Sequence, residues 1–513
     1  MKLRLIGHSY RYAVEQILLQ TLDGERPDFT DDEPTDGESF AELTLTMTSD
    51  AAAVATARMV YNGRRYRGEA RASGLADEKM VRDRDLQRII KLSFYRAAAK
   101  ATRRELPWGA TTGIRPSTLI TRRVRDGFTL DAATKRLERV YYVTPERANL
   151  ARDAAVAELA ARETLTKRAV AVYIGIPFCP TRCTYCSFVS QSVEKSLAML
   201  PPFVEALHRE VGALAATLRE VGSEVVAIYI GGGTPTTLSA EQLRGLLTHV
   251  NDAFDLSHLR EYTVEAGRPD TITAEKLAAL REFGVTRVSV NPQTMQDSVL
   301  DAIGRRHTTA QTYEAMELAR AAGFDVINMD LIAGLTGDTA EGFRDSVERV
   351  IALAPEDITV HTLSIKRGSQ LKLDAEELAD DGVSEMLSFA YEALRRNGYE
   401  PYYLYRQKFT SGGFENTGWS KTATHCVEPD ASLRESSQRS TSGETRGNLY
   451  NLIMMDELRP VLALGSGVNK LIAPTGKIKR VFNPKYPREY IERIEDIIER
   501  KGEIREFLAV LYA

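Results

Sequence analysis

Three cysteines carry the first chemistry visible in the chain. Cys179, Cys183 and Cys186 stand in the spacing C-x3-C-x2-C within AVYIGIPFCPTRCTYCSF, residues 171 to 188. They follow a short apolar run, Val172 to Ile176, that reads as a buried strand, and Pro177 and Pro180 mark where it breaks into a loop. Three thiolates converging from one loop suit an iron–sulfur cluster, which is held by cysteine sulfurs. In a four-iron cubane bound this way one iron lacks a protein ligand, and an open coordination position marks a catalytic rather than a structural site. The same residues would also suit a zinc knuckle, or be three buried thiols. Zinc wants a fourth Cys or His at motif-like spacing, and none lies nearby.

Other residues of chemical interest lie downstream. Glycines 231 to 233, in IGGGTPTT, expose backbone groups against which the polar end of a small ligand can lie, although glycines also simply make turns. Glu265 and Asp330 fall in apolar runs, where a charge needs a partner. Each is either functional or a carboxylate hydrogen-bonded at a strand end.

From Val172 onward the elements that must position these residues become regular. Apolar, β-branched runs recur at Val172–Ile176, Val225–Ile230, Tyr262–Glu265, Arg287–Val290, Val326–Ile332 and Ile358–Leu363. Helical patterns separate them at Leu200–Gly222, Ala240–Val250, Ala274–Phe283, Ala310–Ala322 and Glu341–Leu353. Ser239 with Gln242 and Thr308 with Gln311 form capping boxes, while Gly284 and Gly323 are placed to end helices. Alternating strands and helices imply parallel βα units, arranged as an open doubly wound sheet or a curved, partial TIM-like barrel. In both, chemistry gathers at the carboxyl ends of the strands. The cysteine loop, the glycine triplet, Glu265, Asn291-Pro292-Gln293, Asp330 and His361 to Lys366 all fall near that rim.

The cysteine stretch resembles the signature of radical S-adenosylmethionine (SAM) enzymes, in the version found in oxygen-independent coproporphyrinogen III oxidases and their relatives. GGGTP resembles that family's loop for the methionyl amine. NPQTMQDSVLDAIGRRHT, residues 291 to 308, and NMDLIAGLTGDT, residues 328 to 339, resemble two further family segments. The resemblance implies a 4Fe-4S cluster on Cys179, Cys183 and Cys186, with SAM chelating the free iron. It implies that Tyr173 and Tyr185 line the SAM site, that Gly232, Gly233 and Thr234 form the amine loop, and that Glu265, Gln293, Arg305 and Asp330 contact the cofactor. It implies an oxidoreductase. An external one-electron donor of the flavodoxin or ferredoxin class reduces the cluster, SAM is cleaved to a 5′-deoxyadenosyl radical, and a propionate of coproporphyrinogen III loses hydrogen, CO2 and an electron to become a vinyl group. No catalytic side chain is assigned. A tetrapyrrole carrying four carboxylates calls for cations, and Arg182, Arg306, Lys366, Arg367, Arg406 and Lys408 are candidates that are otherwise surface charges.

The resemblance thus implies an α/β fold: a partial (β/α)6 TIM-like radical-SAM barrel with an N-terminal α+β domain and a small C-terminal domain. Residues 1–165 form the N-terminal extension, with strands at Leu3–Ile6, Phe40–Met47 and Thr56–Tyr61, an Asn62-Gly63 hairpin into Arg64–Ala70, and helices at Asp85–Arg103 and Pro145–Glu163. Its Gly/Pro-punctuated stretch 106 to 119, with Trp108, reads as a packed interdomain loop. Residues 166–408 form the core, 409–447 a polar loop or insertion containing His425 and Cys426, and 448–513 the C-terminal domain with a helix from Pro487 to Lys501. The segment YEPYYLYRQK, residues 399 to 408, reads either as a packed aromatic strand or as a platform for a tetrapyrrole. Together with the long N-terminal extension it resembles the HemZ-type branch of the family.

Two departures from the pattern bear on function. The oxidases carry a fourth cysteine where Phe188 stands, and C-S-F is closer to haem-chaperone relatives. Those relatives bind haem through a His-Asn-x-x-Tyr-Trp element, whose histidine is here Gly447. The expected alternatives to the oxidase are therefore haem binding and delivery, or radical chemistry on another tetrapyrrole. A net charge of −4 gives no reason to expect nucleic acid or an anionic membrane as partner. No apolar run is long enough to span a bilayer, and the first residues lack the core of a signal peptide. Four cysteines in 513 residues, three of them clustered, point to a reducing compartment, read as cytoplasmic.

Overall fold

Strand alternation builds the second half of the chain. Along β1 (Ala169–Ile176) the residues Val170, Val172 and Ile174 alternate with Ala169, Ala171 and Tyr173. In β2 (Glu224–Gly232) Ile228 and Ile230 alternate with Ala227 and Tyr229. Side chains of a strand point to opposite faces in turn, so one face is β-branched and apolar and the other is small or polar. The same division runs through β3 (Glu261–Gly267), β4 (Arg287–Val290), β5 (Val326–Ala333) and β6 (Asp357–Thr362). These six pair in sequence order, every pair parallel, as βα units require. Both anticipated capping boxes are formed, at the helices Ala240–Ala253 and Thr309–Ala321.

The computed structural model describes all residues except 23–24, 33–37, 187–190, 193–195, 365–379, 407–412 and 422–446. It divides into two units, Met1–Arg152 and Asp153–Ala513. In the second, further strands extend both edges of the six. They are β7 (Tyr399–Arg406), β8 (Glu415–Lys421), β9 (Val461–Gly465), β10 (Val468–Ile472) and β11 (Ile478–Phe482). The sheet order is β7-β8-β6-β5-β4-β3-β2-β1-β9-β10-β11. Strand β8 inserts antiparallel between β6 and β7, in a stretch whose composition reads as loop. It lacks apolar alternation, and its strand state comes from two pairing neighbours and from burial of Trp419 and Glu415. His425 and Cys426 lie outside the described residues.

The C-terminal residues add β9 parallel to β1, within the same sheet. Two short helices, Pro487–Glu492 and Ile494–Glu499, stand where one helix to Lys501 was expected, and a third, Lys501–Tyr512, follows them. A buried cluster fastens them to the core helix Leu200–Val221. Its centre is Glu210, which accepts from Lys501 Nζ at 2.5 Å, Tyr490 Oη at 2.6 Å, Asn483 Nδ2 at 2.8 Å and the Gly465 amide at 2.8 Å. A buried ion pair contributes little net stability, but removing one partner strands the other charge.

The first unit holds a five-stranded sheet in the order 28–29, 2–6, 40–49, 52–61, 64–73, with the Asn62-Gly63 turn joining its last two strands. The helix Lys79–Thr102 packs on it, and helices Arg11–Thr21, Ser117–Arg125 and Leu130–Tyr141 were not anticipated. Trp108 is buried. No helix among the described residues is long and apolar enough to cross a membrane.

Glu210→Ala should destabilise the second unit by about 3–5 kcal/mol, because Lys501 would be left buried and uncompensated. Chemical denaturation followed by far-UV circular dichroism measures this, and an unchanged midpoint would refute it.

Candidate active site

The cysteine loop is set by backbone contact with the glycine strand. Pairing of β1 with β2 runs through Ile176 opposite Gly232. Beyond it the Gly233 amide donates to Ile176 O and the Thr234 amide to Phe178 O, each at 2.7 Å. A Cβ on Gly233 would overlap Phe178 O and lie 2.8 Å from Ile176 O, so the close approach itself demands glycine. The Gly232 amide donates to Glu265 Oε2 at 3.3 Å. With three successive N–H groups spent internally, the loop is no cradle for an anion. A protonated amine, which needs acceptors, is the group it suits.

The three cysteines emerge just past this junction. None is in a disulfide; Cys183 is buried, and Cys179 and Cys186 are partly accessible. Thr234 Oγ1 lies 3.5 Å from Cys179 Sγ and Arg268 Nη1 lies 3.9 Å from Cys183 Sγ. Arg268 is aimed by a two-pronged pair with Asp270, both contacts at 2.9 Å, and also donates to Thr181 Oγ1 at 3.0 Å. Donors directed at sulfur can stay hydrogen-bonded to cysteines that ligate iron, so the residues present fit a cluster. Among the described residues no His, Cys, Asp or Glu trio gathers as a cage for a single ion. The cysteines of a cubane sit on separate irons and need no such cage. The far side of the loop is held by the Thr184 amide on Ile303 O at 3.1 Å and Thr181 Oγ1 on Gly304 O at 3.2 Å.

Inside the barrel, four parallel strands each expose one residue. Tyr173, Glu265, Asp330 and His361 are the single incompletely buried positions of β1, β3, β5 and β6. Protein surrounds them deeply, yet solvent reaches them, as it does side chains lining a concave site. Tyr229 of β2 joins this layer and donates its hydroxyl to Glu265 Oε1. Tyr450 stacks on Tyr229 at 4.5 Å between ring centres and on Tyr173 at 6.1 Å, forming an aromatic wall. The two carboxyl groups are pushed in opposite directions. Burial raises Glu265 to about 7, against the hydrogen bond from Tyr229 and with the help of Asp330. Burial would also raise Asp330, but His361, with Nε2 at 3.8 Å, and the Asn328 amide at 2.8 Å hold it below its ordinary value.

The turn after β4 closes the layer. Gln293 takes a left-handed φ of 71° and donates its amide to Asp330 O at 2.9 Å, a strained conformation fixed by its bridge to Leu331. Arg305 supports the turn through Asn291 O at 2.8 Å and Pro292 O at 3.4 Å. Its Nε is buried with no hydrogen-bond partner among the described residues, an orphaned donor that a ligand oxygen would satisfy. Tyr185 packs beside it against Val299, Leu300 and Ile303, and burial, opposed by Arg305, raises its phenol.

This arrangement is that of a known family. The radical SAM superfamily profile matches residues 173–350. An oxygen-independent coproporphyrinogen-III oxidase-like protein, HemZ, of Bacillus subtilis is 38% identical over 402 residues, covering 77% of this chain and 76% of its own. The chain belongs to the radical SAM superfamily, in its oxygen-independent coproporphyrinogen III oxidase-like family. The cofactors of such a radical SAM protein are a 4Fe-4S cluster and S-adenosyl-L-methionine. A heme chaperone, HemW, of Lactococcus lactis is 33% identical over 253 residues, 48% of this chain and 63% of its own. The solved coproporphyrinogen III oxidase of Escherichia coli aligns with a TM-score of 0.46 at 22% identity, over 67% of this chain and 72% of its own.

The structure thus brings Tyr173, Glu265 and Asp330 into one layer, Gly232, Gly233 and Thr234 beside the cysteine loop, and Gln293, Arg305 and Tyr185 around the β4 turn. The substrate cations fare differently. Arg406 is buried, donates to Gly413 O at 2.8 Å, and is pushed down to about 10 by burial, so it braces the β7–β8 hairpin. Arg182 and Arg306 are exposed at the rim. Lys366, Arg367, Lys408 and Phe188 lie outside the described residues. Tyr399, Tyr402 and Tyr403 are core, and of that segment's tyrosines only Tyr405 is partly accessible. Sequence reasoning missed Tyr229, Tyr450 and the Arg268–Asp270 pair. Their signals were a tyrosine two residues before the triplet, the tyrosine of GNLYNL and the RPD that follows β3.

Gly233→Ala should force Phe178, next to Cys179, off the glycine strand. Iron content after anaerobic reconstitution should fall about tenfold or more while the protein stays folded; full iron loading would contradict this contact. SAM affinity should weaken about tenfold between pH 8 and pH 6 as Glu265 takes up a proton, and Glu265→Gln should flatten that profile. Equilibrium dialysis across this range provides the check, and an equally steep profile in the variant would exclude Glu265 as its source.

Proposed function

We propose that the protein catalyses the oxidative decarboxylation of coproporphyrinogen III propionates to vinyl groups, using Cys179, Cys183 and Cys186 to hold the cluster. When bound, the cluster and SAM supply a hydrogen-abstracting radical, at the expense of one electron from an external donor of the flavodoxin or ferredoxin class. The propionate then loses a hydrogen atom to that radical, CO2, and one electron to an external one-electron acceptor, and the bond between its two methylene carbons becomes the vinyl double bond. The chain's own residues bind and orient. Gly232, Gly233 and Thr234 would meet the methionyl amine, with the Glu265 carboxylate behind them, while Arg305 would donate to a ligand oxygen. The Tyr173–Tyr229–Tyr450 wall gives a flat apolar surface, and Asp330 offers an acceptor for a pyrrole N–H.

The observation that carries this reading over haem delivery is Gly447. It has a φ of 72°, and a Cβ there would overlap the ring of Tyr402. The position where the chaperone's histidine would stand therefore excludes any side chain. The adjacent Asn448 is spent as the cap of the helix Leu449–Asp456, and Tyr450 points into the aromatic wall. The HemZ similarity supports the same reading.

Reconstituted protein given reductant and SAM should release 5′-deoxyadenosine faster when coproporphyrinogen III is added, with vinyl products appearing by mass spectrometry. Alanine at any one of the three cysteines should abolish both. Tight haem binding without turnover would replace the oxidase with a chaperone, and SAM cleavage stimulated only by another tetrapyrrole would change the substrate.

A further inference from the structure

The first unit contains a cavity of about 490 Å3 that the chemistry above does not use. Its walls are one face of the helix Lys79–Thr102, the Gly/Pro-punctuated loop through Pro116, and the helices Ser117–Arg125 and Leu130–Tyr141. Seven basic side chains line it against two acidic ones, Asp85 and Asp126. Both acids are engaged. Asp85 pairs with Arg88 at 3.2 Å, and Asp126 with Arg123 at 3.8 Å, whose guanidinium also lies over the Phe128 ring. Among the described residues the partner of Lys91 is neutral: its Nζ donates to Thr112 Oγ1 at 2.9 Å. Arg84, Arg122 and Arg136 make no ion pair with any described residue. Like charges gathered in a concavity repel one another and focus a positive potential there.

Burial pushes Lys91 down to about 8, and partial burial together with Arg84 lowers Arg122. An anion in the cavity would relieve both. Besides the hydroxyl-bearing Thr111, Thr112 and Thr118, the lining has an apolar wall that includes Ile114, Leu119, Leu137 and Tyr141. The volume lies within the roughly 300–1,000 Å3 of small-molecule sites. A lone inorganic ion would leave the apolar wall uncovered, and the cations sit in a pocket rather than along the stripe that tracks a nucleic acid.

We propose that this cavity of the first unit binds a small amphipathic polyanion, an apolar or aromatic body carrying two or more carboxylates or phosphates. A polycarboxylate porphyrin and a nucleoside polyphosphate share that chemistry. The site is independent of the cysteine rim and does not rest on the decarboxylase reading, because its test reads binding alone.

The full-length, reconstituted protein is titrated calorimetrically with coproporphyrin III, with ATP and with inorganic phosphate. One of the two organic anions should bind about tenfold or more tightly than phosphate, and Arg122→Ser with Arg136→Ser should weaken it by about tenfold or more. Asp330→Asn, which alters the residue offered to a pyrrole N–H in the other unit, should leave it unchanged. Arg84→Ser, at an exposed position, supplies a second variant should the double one fail to fold, with a loss of roughly threefold or more expected. Which organic anion binds identifies the source. Organic anions no tighter than phosphate, affinity indifferent to the arginines, or a porphyrin site that responds only to Asp330→Asn would each overturn the proposal.

Discussion

The contact on which the active site depends is backbone against backbone, where the end of β2 docks on the loop leaving β1. Two 2.7 Å hydrogen bonds, from the amides of Gly233 and Thr234, fix the chain at Ile176 and Phe178, and Cys179 is the next residue. The position of the first thiol is therefore set by the sheet ladder and not by its own loop. Because no side chain intervenes at 233, the cysteine loop leaving one strand and the glycine triplet ending the next are brought together by the same interaction. Thr234, whose hydroxyl reaches Cys179 Sγ, extends that link to the sulfur itself.

Below the rim, the polar interior forms a sequence of layers. At the amino ends of the strands Arg287 pairs with Asp357, and burial of Arg287 is compensated by that carboxylate and by Glu261. Glu261 also accepts the Leu449 and Tyr450 amides at 2.7 and 3.2 Å, which seats the helix Leu449–Asp456 by its N-terminus. Small residues at Ala171 and Ala227 leave room for it. A charge network at the floor therefore determines where Tyr450 meets Tyr229, and the stack in turn holds the hydroxyl that hydrogen-bonds Glu265. Removing a floor charge would be felt two layers above it.

Much of this was legible in the residue order, and what was not has a physical pattern. The six parallel strands are marked by β-branched runs long enough to be buried on both sides, and the capping boxes are local hydrogen bonds that four residues encode. The cysteine spacing and the glycine triplet are equally local. Strand β8 was not legible, because ENTGWSK becomes a strand only through its neighbours β6 and β7. The first unit's helices Ser117–Arg125 and Leu130–Tyr141 are different: they carry many charges, yet each keeps an apolar stripe, centred on Ile120 and on Leu137, and Thr129 caps the second, so their periodicity was present but narrow. Tyr450 and Arg268 belong to the site through contacts made at a distance in sequence, and residue type alone does not distinguish them from ordinary core tyrosines and surface arginines. The triplet also shows a right expectation with an incomplete reason. Gly233 is a glycine because a carbonyl of the cysteine loop occupies the space of its Cβ.

The opposite shifts of Glu265 and Asp330 follow from neighbours rather than depth, since both are enclosed alike. Asp330 has an imidazole and an amide donor; Glu265 has a phenol and one long backbone hydrogen bond. A carboxyl group held near neutrality at the edge of the glycine loop ionises readily when a cation arrives, and protonates when it leaves. Asp330, already ionised, contributes a fixed negative charge whether or not a ligand is bound. The interior thus combines one carboxyl group whose charge an arriving cation would change with one whose charge it would leave as it is, and the difference comes from the donors around each rather than from burial.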